Sequence, residues 1–266
     1  MSDPTHTTTA TATPTPTSAV ISLEERAQAL RRVNKSRGRV IRVMWEWAKS
    51  FQVAILVFLF VRAFIVEAFK IPSGSMERTL LVGDFLLVNK LVYGAEVPFT
   101  GKRLPALREP RLGDVVVFQW PQDPTKNFVK RLVGMPGDTL AMEDGKLIRN
   151  GREVREVYVV HTDPGMDPSG EEFRWQRDHL VRTAQATVGY HPSRNNWGPI
   201  VVKPKHYFML GDNRDNSLDS RYWGFVPDSL IRGQPLVVYY SFEPDSGTHG
   251  AWLSRVRWHR LGSRVH

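Results

Sequence analysis

Cysteine is missing from all 266 residues, which rules out disulfides, thiol nucleophiles and Cys-ligated metals and leaves the redox compartment open. Histidine is sparse: the eight are scattered, none in a recognisable strand context and none in a His-Glu-x-x-His run, so no zincin site or histidine base stands out. There is no Gly-x-Ser-x-Gly elbow, no βαβ alternation and no internal repeat. Negative charge is also short, with 27 Asp and Glu against 36 Lys and Arg for a net +9. A balance of that sign points to nucleic acid or to an anionic membrane surface. No zinc-finger, RRM-like or helix-turn-helix signature accompanies it, so no nucleic-acid partner is expected.

Long apolar runs are limited to one. Ala48 to Val66, with the uninterrupted core Val53–Val61, has 19 residues; at about 1.5 Å each they reach about 28 Å, enough to span the hydrocarbon. Arg62 interrupts it four residues from the exit, where its side chain can snorkel to the interface. Between Val20 and Ser50 stand eight Lys/Arg against three Glu. With Trp45 and Trp47 at the same end, this predicts a transmembrane helix over 48–66 with its N-terminal side in the cytoplasm. A cleavable signal peptide is not expected, because nearly 50 residues precede the run. Residues 1–20 are mostly Thr, Ala and Pro and predict a disordered tail. Ser22 and Glu25 form a capping-box pattern that opens a basic helix over 21–47.

Beyond residue 69 the pattern turns to short strands: Phe85–Tyr93, Val115–Trp120, Phe128–Val133, Lys146–Arg149, His206–Leu210 and Leu236–Tyr240. Asp144-Gly145 and Asn150-Gly151 read as hairpin turns. The expected fold is mainly β: an antiparallel β-sheet domain over 67–242, with a smaller cap or insertion at about 142–205, following one transmembrane helix. Within the cap, residues 160–200 are polar and irregular. Residues 243–266 form a basic tail. Its Arg255, Arg257, Arg260 and Arg264 among Trp252, Val256, Trp258 and Leu261 suit either an amphipathic rest on lipid headgroups or a solvated segment.

Three clusters could carry chemistry. Ser73-Gly74-Ser75 follows closely on the apolar run; it reads as an ordinary turn or as a reactive serine, which needs a base beside it. Lys130 lies in Asn127–Val133, where alternation puts Phe128, Lys130 and Leu132 on one face and Val129, Arg131 and Val133 on the other. Either a cation points to solvent from an edge strand, or burial disfavours the ammonium and leaves a neutral amine able to act as a base. Gly211–Gly224 alternates Asp and Arg as a mutually paired polar knot; a calcium loop is disfavoured by the spacing and by Arg214 inside it. Ser217 in that loop suits a hydroxyl that holds the lysine amine.

Ile71–Leu80, Gly83–Val88, Gly113–Asp138 and Gly211–Pro227 together resemble the successive boxes of bacterial type I signal peptidase (leader peptidase), in order and spacing, over about residues 50–242. The resemblance implies a Ser/Lys protease that removes signal peptides from secretory preproteins on the outer face of the cytoplasmic membrane, after Ala-x-Ala sites. It implies Ser75 as nucleophile, Lys130 as general base, Ser73 Oγ and the Ser75 N–H as oxyanion hole, and Ser217 as the lysine-orienting hydroxyl. Arg131, Asp212, Asp219 and Arg221 become structural support. Phe69, Ile71, Met76, Leu80, Val117, Phe128 and Val129 become substrate pockets, with no metal and no cofactor. One departure is Met76-Glu77-Arg78, where the family often has Met-Pro after the serine; it concerns the turn. Two other classes are weighed: a self-cleaving DNA-binding regulator, for which residues 1–68 offer no DNA domain, and an inactive membrane-anchored binding protein, which need not keep Ser73, Ser75, Lys130 and Ser217.

Overall fold

The computed structural model describes residues 22–98, 100–181, 189–244 and 255–266. The tail over 1–20 and Trp252 lie outside them. Ser22 opens helix α1 (Leu23–Phe60) as the sequence predicts: its Oγ accepts from the Glu25 N–H, and Glu25 returns a bond to the Ser22 N–H. The basic helix and the span are one continuous element. A π turn (Val61–Ile65) closes it, and Val66 already begins a strand. Its apolar window has a mean hydropathy of 1.8 and none of it is covered by protein.

The remaining elements are strands β1 (Val66–Lys70), β2 (Asp84–Asn89), β3 (Val115–Trp120), β4 (Asp123–Gly134), β5 (Thr139–Glu143), β6 (Lys146–Arg149), β7 (Arg152–Glu153), β8 (Trp197–Val201), β9 (His206–Leu210), β10 (Val226–Pro227) and β11 (Ile231–Ser241), with a short helix α2 (Ser220–Trp223). They form a seven-stranded sheet ordered β1-β2-β11-β3-β4-β9-β10 and a four-stranded sheet ordered β7-β6-β5-β8. Every pairing between these strands is antiparallel.

β3 is buried on both faces: Val115 and Val117 join Ile71, Met76, Leu80, Leu86 and Val238, while Val116 and Phe118 join Leu132, Met209 and Ile231. That explains its unbroken apolar run where a one-sided strand would alternate. The two predicted hairpins are present. Asp144 and Gly145 at φ 46° and 78°, and Asn150 and Gly151 at 53° and 75°, are left-handed pairs that suit a right-twisted ladder.

Three expectations need correction. The strand predicted to Tyr93 stops at Asn89, whose Oδ1 accepts the Leu91 N–H and turns the chain into a 3-10 segment (Leu91–Tyr93). The second sheet, the smaller insertion of the expectation, starts at Thr139 and belongs to the core rather than lying outside it. Its Leu140, Met142, Leu147 and Trp197 share one core with Val133, Phe208, Leu210 and Phe225 of the larger sheet. Residues 255–266 are no free tail either: Val256 and Arg264 bridge to Phe242 and Val237, Val265 is buried, and Arg260 pairs with the buried Asp84. The boundary at 242 therefore fails, because burying these side chains satisfies an internal carboxylate.

Candidate active site

Ser75 sits in a one-turn 3-10 segment (Gly74–Met76) preceded by Ser73 in extended conformation. The apolar residues on either side, Ile71, Met76 and Leu80, are all buried and pin this turn to the core. Ser73-Gly74-Ser75 is thus a turn, and one that turns the Ser75 hydroxyl inward. The Ser75 N–H falls in the first turn of the segment, where intrahelical acceptors are lacking.

Lys130 comes from the middle of β4, which lies between β3 and β9, so the edge-strand reading fails. It pairs in register with Val116. Its side chain is 4% exposed, and Nζ lies 2.5 Å from Ser75 Oγ and 5.7 Å from the centre of the Phe128 ring. Burial in these surroundings pushes the amine down from 10.5 to about 8. Asp219 and Asp212 draw it partly back up, and Arg221 opposes them. Ser73 Oγ lies 3.4 Å from Ser75 Oγ on the open side.

Around this pair lies the polar knot. Arg131, buried on the opposite face of β4, makes a two-pronged pair with Asp212, Nε to Oδ1 at 2.8 Å and Nη2 to Oδ2 at 2.7 Å. Its plane stacks 3.8 Å from the Tyr158 ring centre. Asp219 caps α2 and pairs with Arg221 through two 2.8 Å bonds, both side chains fully buried. Burial alone raises the Asp219 carboxyl, but Arg221 and the Gly211 N–H outweigh it and hold it below the usual range. Gly211 is pressed between the Ser75 carbonyl and Ser217; an added Cβ would lie 2.6 Å from that oxygen.

A cleft of about 280 Å³ opens from the pair, lined among others by Phe69, Ile71, Met76, Phe128 and Val129. Five of the seven predicted pocket residues therefore meet there. Leu80 and Val117 do not: both are fully buried and back the cleft from the core. Ser217 corrects a further expectation. It is buried beside Gly211, but its Oγ makes no hydrogen bond, so it does not hold the lysine amine in this structure. Leu218, half-exposed on the cleft wall, and Asn127 and Asn216 were not singled out from the sequence, although Leu218 adjoins Ser217 in the same loop. The buried pairs Glu156–Arg214 and Arg194–Asp215 join the 211–221 loop to the second sheet region. Their partners are too far apart in sequence to leave a local signal. Among the described residues no group of three His, Asp or Glu is arranged to hold a metal.

A serine hydroxyl against a buried amine, in an antiparallel β domain that follows a helix long and apolar enough to cross a membrane, fits a hydrolase of the serine type. Residues 44–240 match the family described as signal peptidase, peptidase S26. A signal peptidase I of Pseudomonas aeruginosa PAO1 is 42% identical over 225 residues, 79% of this chain and 78% of the relative. One of Aquifex aeolicus VF5 is 35% identical over 219 residues, 70% of this chain and 80% of the relative. A crystal structure of a signal peptidase I from Enterococcus faecalis V583, 26% identical, aligns with 48% of this chain and 98% of its own at a TM-score of 0.33, too slight a likeness to bear on the fold. The chain belongs to the peptidase S26 family. It is a serine endopeptidase with signal peptidase I activity, and its reaction is the removal of signal peptides.

Proposed function

We propose that the enzyme cleaves secretory preproteins after Ala-x-Ala sites by a serine/lysine mechanism. The observation that carries this reading is the 2.5 Å approach of Lys130 Nζ to Ser75 Oγ inside an apolar setting. Neutral Lys130 takes the Ser75 Oγ proton as Oγ attacks the carbonyl of the residue before the scissile bond. Ser73 Oγ and the Ser75 N–H stabilise the oxyanion, each donor contributing roughly 3 kcal/mol to the lowered barrier. The Lys130 ammonium returns the proton to the leaving amine. Water, again with Lys130 as base, then attacks the ester, releasing the signal peptide with a new carboxylate and restoring Ser75. Arg131, Asp212, Asp219 and Arg221 keep the amine and the serine in register.

The substrate lies extended along β1 and β4, and Phe69, Ile71, Met76, Phe128 and Val129 narrow the cleft to small side chains. Preproteins emerging from the translocation channel present such a segment at the membrane surface. The basic block before the span supports a single-pass orientation in the bacterial cytoplasmic membrane, with the N-terminal side in the cytoplasm and the catalytic domain on the outer face.

The deciding experiment is cleavage of a purified preprotein with an Ala-x-Ala site, in detergent or lipid, by the wild type, Ser75→Ala and Lys130→Met. Cleavage at that site by the wild type alone supports the reading. Full activity in either variant sinks the dyad, and a folded wild type that leaves the preprotein intact sinks the Ala-x-Ala specificity.

A further inference from the structure

The segment that carries Ser75 runs directly into a strained turn. Met76 to Thr79 closes with the Thr79 N–H donating to the Met76 carbonyl at 3.0 Å. Glu77 sits at φ −50° and ψ 147°, and Arg78 at φ 78°. These are the dihedrals of a type II turn, whose third position favours glycine. An arginine persists there only where its surroundings hold it.

One tie stands out. Glu77 Oε2 accepts from Asn213 Nδ2 at 3.1 Å, and the same carboxylate oxygen folds back to 3.6 Å from where a Cβ on Gly74 would lie. Asn213 is fully buried. Its N–H donates to the Ser75 carbonyl at 3.1 Å, and its Oδ1 accepts from Thr162 Oγ at 3.0 Å and from the Asn216 N–H at 3.3 Å. Asn213 is therefore fixed from three sides, and Glu77 leans on it.

We infer that Glu77 is a positioning residue: through Asn213 its carboxylate holds the Met76–Thr79 turn in the strained form and so fixes Ser75 against Lys130. Losing the tie lets the Glu77–Arg78 peptide flip and returns Arg78 to negative φ. The flip is transmitted through Met76 to Ser75 one residue earlier. The inference rests on Ser75 being the nucleophile.

The test is steady-state cleavage of the same preprotein by the full chain in lipid, with thermal midpoints measured alongside. Glu77→Ala is expected to lower kcat by about tenfold or more with KM unchanged, the scale set by small misplacements of a reacting group. Glu77→Gln keeps an acceptor for Asn213 and retains most of kcat. Adding Arg78→Gly to Glu77→Ala restores kcat, because glycine occupies φ 78° without a Cβ clash. Wild-type kcat in Glu77→Ala overturns the inference, and so does a double variant that stays slow. If Glu77→Ala fails to fold, Glu77→Ser, too short to reach Asn213, gives the same comparison. Ser75→Ala in the same assay separates the two levels: its activity overturns the nucleophile assignment, whatever the Glu77 series gives.

Discussion

Gly211 leaves no room for a side chain against Ser75: a Cβ on it would lie 2.6 Å from the Ser75 carbonyl oxygen and press on the Ser217 hydroxyl. The close approach lets the 211–221 loop lie flat on the nucleophile turn. It is one of the few positions where glycine is required by contact rather than by its own dihedrals.

Gly211→Ala should therefore push the loop and the turn apart. Preprotein cleavage is expected to fall about 100-fold, the scale of a displacement near 1 Å, with a destabilisation of roughly 1–3 kcal/mol from overpacking. Paired kcat/KM and thermal melts check this. A folded variant at the wild-type rate would show that the contact does not govern Ser75.

The pH profile follows from Lys130. Burial holds its amine at about 8, and the neutral form is the base. Hence kcat/KM should rise with pH, level off above about 9, and at pH 6 lie about 100-fold below the plateau. Asp219 is the main charge that favours the ammonium, so Asp219→Asn should move the rising limb to lower pH. A flat profile between pH 6 and 10 is the outcome that excludes an amine base.

The same group makes a stability prediction of known sign. The folded value, about 8, lies below the unfolded value of 10.5, so between the two the unfolded chain holds a proton that the folded one lacks. Wild-type stability gains about 3 kcal/mol as pH rises through that window. Lys130→Met removes the buried amine. It should be more stable than wild type at pH 7 and lose that advantage above pH 10.5. Melting curves of both proteins at the two pH values test this, and a Lys130→Met protein less stable than wild type at pH 7 would contradict it.

The buried ion pairs should separate by environment. Asp212→Ala takes the paired carboxylate from Arg131, a residue 3% exposed, and leaves it the Gly113 and His266 oxygens and the Thr79 hydroxyl; it should cost about 3–5 kcal/mol. Arg260→Ala should cost less, because Asp84 keeps the Ser241 hydroxyl at 2.7 Å and Arg257 at 3.8 Å. Chemical denaturation of the two variants gives the ranking, and equal losses would remove the distinction.

Much of this was legible in the sequence. Val115–Trp120, Lys146–Arg149 and His206–Leu210 are strands with the expected bounds, because β-branched and aromatic runs there end at strong turn residues. Thr139–Glu143 and Trp197–Val201 were hidden by Ala, Met, Gly and Pro, whose pairing is decided by neighbouring strands. Val66–Lys70 was hidden for a different reason: its apolar start reads as the end of the span. At the site, the turn and the strand alternation drew notice to Ser75 and Lys130 but left a bland reading open for each, and only the family resemblance gave them roles. Ser217, Leu80 and Val117 were placed in the right neighbourhood with the wrong facing, since whether a side chain fronts or backs a cleft depends on packing that no local pattern records. Arg214 reaches Glu156, 58 residues away, and only the folded chain brings them together.

That reach has a consequence for when activity appears. Arg131 finds Asp212 across 81 residues, and Arg260 finds Asp84 across 176. Closing such loops is slow and yields nothing until the last partner arrives. A nascent chain that has already exposed Ser75 and Lys130 still lacks the counter-charges that hold Arg131 and Asp84 inside. The site is therefore complete only once residues as late as Arg260 are in place.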